Sequence, residues 1–488
     1  MRSPQNHSAT RKLSFCLVLL LAGCEVGRDY HAPSVSTPDQ YAVSAPAVLV
    51  AASDIGSWWR YFHDPELDSL IERGLSANMD VQLAASRIQQ ARYHEKEVRA
   101  QAFPTVDANV SATRTKLSGN SISLGGLALS GTNTTGTSST SAASSGSLPP
   151  LGLPGTEFNT FQLGFDMSWE LDLFGKARRS SEAAAADTQA LDWSLRDTWV
   201  SLAAEIAQTT RERRAIELIR AKVASRLATS LDVQQEESQL ALSESQLPPL
   251  QAEVQVHIHA LGVLLGQIPE SLGVELAAEA PTLAEPPSIP VGLPSELLQR
   301  RPDLRAAERR LAEASAKTGE ATADLYPRIT LTASPALIST ALSNLLSSGS
   351  ENASAGASLG WNLFDAGKRR AVLREANESE RQSLLSYQKA VLVALQEVED
   401  ALSQLAAQSA ETTNLEQSYS AAQRAEAIAD AQYRAGIAPL TTVLSARATR
   451  LDAQDRLIVA RGDESRDTVA LYKALGGGWE THRDREGQ

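Results

Sequence analysis

Cys24 is the residue of this sequence best placed for covalent chemistry. Arg11 and Lys12 end a basic region, residues 13–22 are apolar, and Leu21-Ala22-Gly23-Cys24 completes a signal peptide with a lipobox. An apolar run this short cannot span a bilayer, which needs about 20 apolar residues. We therefore expect cleavage before Cys24 and acylation of its thiol. The alternative is a plain signal peptide followed by an unmodified cysteine.

Apart from Cys24, the sequence contains no group of residues whose types and spacing indicate catalysis or metal binding. Cys16 lies inside the removed segment, so the mature chain holds no thiol besides Cys24 and no disulfide. His257 and His259 point to different faces of a helix, and the glycines at 476–478 follow a helix instead of opening one. We expect no enzymatic activity, no catalytic residue, no metal and no cofactor, so a partner must supply the energy for any transport.

The composition suits long helices better than a compact globule. The 488 residues are 42% hydrophobic but only 5% aromatic, which favours close packing of helices through small side chains. The formal net charge is -13, and removal of residues 1–23, which carry basic but no acidic residues, makes it more negative. We therefore expect no nucleic acid among the partners.

The chain contains an internal duplication of about half its length. Residues 80–104 align with residues 303–327 without a gap, and residues 169–178 align with residues 361–370 through Trp, Gly-Lys and Arg. Each half is predicted to contain helix, proline, strand, loop, strand, Gly-Lys and long helix. The loop of the first half is longer, and residues 118–150, rich in Ser, Gly and Thr, are expected to form a flexible surface loop.

Four segments show the period-two alternation of strands with one apolar and one polar face. The alternation is strict in residues 161–171, clear in 355–363 and weaker in 106–112 and 329–333. Such strands form either an antiparallel sheet on a soluble core or part of a membrane barrel. Strand length, a tryptophan near one end of the clearer strands and the signal peptide favour the barrel.

Four strands cannot close a barrel by themselves, since the smallest barrels have about 8 strands and open edges are not tolerated in lipid. The barrel must therefore be shared between copies of the chain. Three copies of four strands supply 12, whereas two copies leave little lumen. We predict a homotrimer.

Two stretches with a helical pattern are longer than the helices of a compact globular domain. The pattern continues from Gly175 to about residue 230 and from Gly367 to about residue 433, with no proline in either stretch. Apolar residues recur at coiled-coil spacing in the second stretch, at Leu384, Val391, Val398 and Leu405. An isolated coiled-coil stalk would explain these heptads but not the alternating strands.

Each long helix is expected to turn back on itself and form an antiparallel hairpin. The returning helices are predicted over residues 231–266, kinked at Pro248-Pro249, and over residues 440–475. The two tips then fall near residues 225–230 and 436–439.

Four further motifs are more specific than these periodic patterns. They are Gly23-Cys24-Glu-Val-Gly27-Arg-Asp-Tyr30, Trp58-Trp59 with Phe62-His-Asp64-Pro65, Leu293-Pro294-Ser-Glu-Leu-Leu298-Gln-Arg300-Arg301-Pro302-Asp303, and Leu471-Tyr-Lys-Ala-Leu475-Gly476-Gly477-Gly478-Trp479. Through them the mature chain resembles the TolC-like outer-membrane efflux channels, in the lipoprotein branch associated with resistance-nodulation-division pumps. The resemblance implies a mainly α fold with a membrane β-barrel, in which a trimeric 12-stranded barrel continues into a long periplasmic α-helical barrel.

The resemblance also implies a periplasmic gate, closed by polar contacts between the helical hairpins. Asp232 and Tyr433 resemble the Asp and Tyr that take part in this closure and are the gate candidates. The alternative is that they are a solvated helix acid and an interfacial tyrosine. Gly436 is the candidate for an adaptor-facing tip, since glycine permits the positive φ of a turn between helices.

The match to the other gate residues of the family fails. Ala438, Thr442 and Ser445 stand where members of the family have Arg and Asp, and Arg226 stands where the first tip glycine is expected. The first hairpin is also shorter than the second. We therefore expect the acidic constriction of this gate to be weaker or differently built.

The expected organisation is a signal peptide in 1–23, a lipid anchor and extended segment in 24–63, the two repeats in 64–292 and 293–479, and a tail in 480–488. Each repeat contains a helix, two barrel strands and a helical hairpin.

The expected function is that of the outer-membrane channel of a tripartite efflux pump, a passive exit duct for drugs or other small toxic compounds. The expected partners are two further copies of the chain, outer-membrane lipid, a periplasmic adaptor and an inner-membrane resistance-nodulation-division pump. Glu25, which follows the anchor, permits sorting to the outer membrane. The alternatives are a channel for protein or peptide secretion and a structural coiled-coil lipoprotein.

Overall fold

The computed structural model describes residues 26–35, 37–42, 55–116, 157–223, 244–245, 247–276 and 294–480. The chain divides into two compact units. The first unit draws on Met1–Tyr30, Tyr93–Ala185 and Glu313–Glu380, and the second on His31–Arg92, Ala186–Ala312 and Arg381–Gln488. Each unit therefore contains residues from both repeats.

Helices account for most of the described chain. The main ones are α1 (Pro65–Ala77), α2 (Met79–Ala100), α3 (Lys176–Val223), α4 (Leu247–Leu264), α5 (Pro302–Ala323), α6 (Lys368–Arg434) and α7 (Leu440–Ala474). The strands are β1 (Thr105–Lys116), β2 (Glu157–Leu171), β3 (Arg328–Ser339) and β4 (Glu351–Gly360). Within these ranges, no helix combines the length and the apolar character needed to cross a membrane.

The first unit contains a four-stranded antiparallel sheet in the order β1-β2-β3-β4. Val110 lies opposite Leu163, which lies opposite Leu337. Because opposite residues share a face of the sheet, the alternating apolar residues of all four strands lie together, which confirms the predicted alternation. This apolar face consists of Val106, Ala108, Val110, Ala112, Phe161, Leu163, Phe165, Met167, Trp169, Leu171, Ile329, Leu331, Ala333, Leu337, Ala353, Ala355, Ala357 and Leu359.

The fourth strand ends earlier than the sequence pattern predicts. The alternation suggests a strand over residues 355–363, but β4 ends before Trp361. The indole N–H of Trp361 donates a hydrogen bond to the carbonyl of Leu325 at 3.2 Å. Trp169, at the equivalent position of the first repeat, donates to the carbonyl of Ala102 at 2.9 Å. Each tryptophan therefore links the end of the second strand of a β-hairpin to the residues that precede its first strand.

The second unit has an aromatic core to which both ends of the chain contribute. Trp58 is fully buried and stacks on Tyr472, with ring centroids 4.9 Å apart. Trp479 packs edge-on against Trp193, and its indole N–H donates to the carbonyl of Arg300 at 3.1 Å. Three of the four motifs noted in the sequence therefore meet in one core.

Close backbone approach explains the triple glycine of the last motif. A Cβ atom on Gly477 would lie 2.8 Å from the carbonyl oxygen of Ile55, so only glycine fits there. Next to this contact, the guanidinium group of Arg301 donates to the carbonyl of Ala474 at 3.0 Å and forms an ion pair with Glu397 at 2.7 Å. The glycines therefore end α7 and allow it to pack tightly.

The predicted long helices are confirmed where the structure describes them. Helix α3 has 48 residues, α6 has 67 and α7 has 35. Val391 and Val398 of the heptad pattern are buried, and Leu384 and Leu405 are half-buried. The heptad positions therefore form part of the packed stripe of α6.

Pro248 and Pro249 lie at the start of the described span of helix α4, and residues 244–245 before it are also helical. Residue 246 lies outside the described residues, so the kink at Pro248-Pro249 stays a prediction. The predicted first tip, residues 225–230, lies outside the described residues.

Candidate functional site

The second face of the sheet is polar and could line a water-filled passage. Ser111 lies opposite Gln162 in the first hairpin, and Thr330 lies opposite Ser358 in the second. Opposite pairs again share a face, so the hydroxyl and amide groups of all four strands lie together. A sheet of this kind can present its apolar face to lipid and its polar face to water.

Two carboxylates stand directly opposite each other on the polar face. Asp107 of β1 pairs in register with Asp166 of β2, and both residues are exposed. Glu170 follows on the same face of β2 and is also exposed. Like charges directly opposite destabilise a strand pair, so water and counter-cations must screen these groups. A passage lined by this face carries negative charge.

The two outer strands of the sheet have open edges in the described part of the chain. Strand β1 pairs only with β2, and β4 pairs only with β3. One edge of each strand therefore presents N–H and C=O groups without a partner strand. Because lipid offers these groups no hydrogen bonds, the sheet is complete in a membrane only when strands are added to both edges.

Gly436 forms the tip between α6 and α7, as the sequence predicts. Its φ is +71°, and its N–H donates to the carbonyl of Tyr433 at 2.9 Å. The N–H of Ile437 donates to the carbonyl of Gln432 at 2.9 Å. Together these bonds form a Schellman motif, which ends a helix with its last carbonyls satisfied. Ile437 is 76% exposed, so the tip presents an apolar side chain to solvent.

Only one of the two gate candidates lies in the described part of the chain. Tyr433 is in the last turn of α6 and is 43% exposed. Asp232 and the lipidation candidate Cys24 lie outside the described residues. The structure therefore brings Tyr433 and Gly436 together at the second tip, and the roles of the candidates stay predictions.

The sequence reasoning missed a charged cluster between α6 and α7. Glu426 accepts a hydrogen bond from Arg447 at 3.0 Å and another from Arg450. Burial alone would raise the pKa of Glu426, but the two guanidinium groups lower it below its ordinary value. Two arginines three residues apart share a helix face, which was a possible signal, but one sequence does not reveal the acid opposite them.

A cleft of about 500 Å³ in the second unit brings charged residues of two of the motifs together with others that no motif indicated. Asp197 of α3 is half-buried at its wall. Burial, together with repulsion from Asp303, raises the pKa of Asp197 to about 6 against the opposing effect of Arg301. The charged residues lining the cleft are Asp197, Arg301, Asp303, Glu397, Asp400 and Lys473.

The raised pKa of Asp197 predicts a pH-dependent stability. The folded chain holds this proton more tightly than the unfolded chain, so stability rises as pH falls through about 6. We expect Asp197→Asn to be more stable than the wild type at about pH 8, and this difference to shrink towards about pH 5. Melting temperatures of both proteins over this pH range provide the test. Melting profiles that stay parallel would contradict the prediction.

The two histidines considered in the sequence do not form a metal site. His257 lies 3.8 Å from Glu212, and His259 is exposed. No group of three or more His, Cys, Asp or Glu side chains in the described ranges is arranged to hold a metal ion.

Comparison with known sequences relates the chain to a family of export proteins. The family described as "Outer membrane efflux protein" matches residues 70–213 and 293–477, which is more than half of the chain. The pyoverdine export outer membrane protein OpmQ of Pseudomonas aeruginosa is 31% identical, over 97% of each chain. The solvent efflux pump outer membrane protein SrpC of Pseudomonas putida is 29% identical, over 96% of this chain and 98% of its own.

Solved structures show the same relationship. The outer-membrane channel OprN matches with a TM-score of 0.78 and 32% identity, over 93% of this chain and all of OprN. The resemblance to TolC-like channels that the motifs indicated is confirmed. The chain belongs to the outer membrane efflux protein family and is an outer-membrane efflux channel protein of TolC-like fold.

Proposed function

We propose that three copies of the chain form a passive duct through the outer membrane. The observation that carries the proposal is the sheet of the first unit, which has one apolar face, one polar face and two open edges. Because lipid does not tolerate open edges, other copies must close them. Strand β1 of one copy is then expected to pair with β4 of the next.

The number of strands supports three copies over two. Each copy supplies four strands, so three copies form a ring of 12. Two copies would form a ring of 8, and the interior of a barrel of about that size is just filled by its side chains. The larger ring leaves a lumen, which the polar face would line with Asp107, Asp166 and Glu170.

The rest of the assembly is proposed from the family. An inner-membrane resistance-nodulation-division pump supplies the energy, and a periplasmic adaptor contacts the tip at Gly436. Asp232 and Tyr433 take part in closing the duct, and the acylated Cys24 anchors each copy in the outer membrane. In this arrangement the chain's own residues guide the cargo and perform no catalytic step.

We propose drugs or other small toxic compounds as the cargo. Two relatives support this size class, since SrpC is named for solvents and OpmQ for pyoverdine export. A duct lined by hydroxyl, amide and carboxylate groups offers water-like contacts to a passing molecule. Its cargo is then determined mainly by the pump.

Cysteine cross-linking across the edges of the sheet tests the trimer. Ala355→Cys in β4 is combined in turn with a cysteine at Val106, Ala108, Val110 or Ala112 of β1, which all lie on the same face as Ala355. We expect one combination to give a disulfide-linked trimer on a denaturing gel, because opposite residues of paired strands have Cβ atoms about 4.5–5.5 Å apart.

Asn109→Cys provides the matched control. Asn109 lies between two of the tested positions but on the opposite face of β1, so its combination with Ala355→Cys is expected not to cross-link. The cross-linked trimer should conduct ions in a planar bilayer. Failure of every combination, with a monomeric mass in detergent, would refute the shared barrel and favour the coiled-coil lipoprotein.

A further inference from the structure

The helices attached to the two edge strands carry exposed charges of opposite sign. Helix α2 leads into β1 through a short connection, and α6 follows β4. Both strands are edges of the sheet. If β1 of one copy pairs with β4 of the next, the end of α2 and the start of α6 become neighbours in the assembly.

Two arginines at the start of α6 lie on the side of the helix that faces away from α5. Val372 and Ala376 of α6 line a groove with α5. At about 100° per residue, Arg370 and Arg374 lie on the other side of the helix, and both are exposed. No carboxylate of the described residues forms an ion pair with either arginine.

Their position makes these two charges unfavourable in an isolated copy. Residues four apart on a helix are neighbours, so Arg370 and Arg374 repel each other. Arg370 also lies in the first turn of α6, where the helix dipole disfavours cations. An anionic partner from outside the chain would relieve both effects.

In the first repeat, the arginines of the equivalent segment form ion pairs within the same chain. Arg178 is the sequence equivalent of Arg370, and it forms an ion pair with Asp172 at 3.2 Å. Arg179 beside it is buried and pairs with Asp29 at 2.9 Å. The second repeat keeps a basic residue at Arg370 and has Arg374 where the first repeat has Glu182, but it lacks such partners among the described residues.

A suitable acid lies on the end of α2. Val98 and Ala91 belong to the buried face of this helix, whereas the side chain of Glu97 is 73% exposed. Its ion-pair partner is His94, 3.4 Å away, which carries charge only when protonated. Glu97 therefore presents a carboxylate on a side of α2 that the described part of the chain leaves exposed.

Glu97 and the two arginines also lie at similar distances along their helices from the ends that lead to the strands. Glu97 lies three residues, or about 4.5 Å, from the end of α2. Arg370 and Arg374 lie about 3 and 9 Å from the start of α6. Glu97 therefore falls between the two arginines in distance from the helix end that leads to the strand.

We propose that Glu97 of one copy forms an ion pair with Arg370 and Arg374 of the adjacent copy, and so joins the helices beneath the barrel. The inference rests on the proposed trimer and adds to it a specific contact outside the sheet. Each trimer contains three such contacts, so one substitution in the sequence alters all three contacts of the trimer.

Charge reversal tests this contact. Glu97→Arg and Arg374→Glu are each expected to lower the temperature at which the detergent-extracted trimer dissociates by several degrees, because each places like charges together. The double variant Glu97→Arg with Arg374→Glu restores opposite charges and is expected to recover most of the loss. Semi-native gels after stepwise heating provide the measurement.

Lys96→Glu is the matched control, because Lys96 is an exposed charge of the same helix turn on another side. When Lys96→Glu is combined with Arg374→Glu, the dissociation temperature of the trimer is expected not to recover. Recovery by both double variants, or by neither, would overturn the inference. A loss confined to the Arg374 variant would also overturn it and would instead indicate contact of α6 with anionic lipid headgroups. The β1–β4 disulfide forms in either case if the trimer itself is correct, so the two proposals fail separately.

Discussion

Trp58→Ala is expected to lower the free energy of unfolding by about 3–5 kcal/mol. Trp58 is fully buried and loses its stacking contact with Tyr472, whose ring centroid lies 4.9 Å away. The surrounding contacts include Gly478, whose backbone packs against the indole and leaves little freedom to fill the space. Denaturant titration followed by circular dichroism of the helices measures the change.

Trp361→Ala is the matched control for this prediction. Trp361 is 55% exposed and makes one hydrogen bond, to the carbonyl of Leu325. Its removal is expected to cost about 1 kcal/mol, the usual contribution of a single hydrogen bond. Equal losses in the two variants would show that the aromatic core of the second unit is not a main source of stability.

Arg214→Met is expected to destabilise the fold by about 3–5 kcal/mol. Arg214 forms an ion pair with Asp64, and the two side chains are only 3% and 4% exposed. Asp64 also accepts hydrogen bonds from the N–H groups of Glu66 and Leu67 as the cap of α1. Without the arginine, the carboxylate stays in place by these bonds and its charge is buried without a counterion.

Arg60→Met makes the same chemical change in an exposed ion pair of the same unit. Arg60 and Glu72 are 58% and 46% exposed, so water screens their interaction. The expected loss is at most about 1 kcal/mol. Melting temperatures of both variants at equal protein concentration provide the comparison. A loss of stability for Arg214→Met no larger than that for Arg60→Met would contradict the prediction.

The sheet could be predicted because its signal is local. Alternation of apolar and polar residues determines which side chains share a face, and the register between the strands agrees with it. The end of β4 was predicted wrongly because the alternation continues to Trp361 and beyond, whereas the strand pairing ends at Gly360. Gly436 could also be predicted, since a tight turn after a long helix requires a residue that accepts positive φ.

The contacts between distant residues could not be predicted from a single sequence. The family motifs were recognisable, but nothing in their spacing showed that Trp58 stacks on Tyr472. The pKa of Asp197 likewise depends on burial by α5, α6 and α7, which is determined only when these helices pack. Of the candidate site, residues with a conformational requirement were predictable, whereas those whose role depends on a partner group were not.

The contact between Trp58 and Tyr472 has a consequence for biosynthesis. The ribosome makes Trp58 long before Tyr472, which stacks on it. Throughout that interval the indole lacks this cover, and exposed apolar surface makes incompletely folded chains prone to aggregate. A chain broken off before Tyr472 cannot complete the aromatic core, and we expect quality-control proteases to remove it.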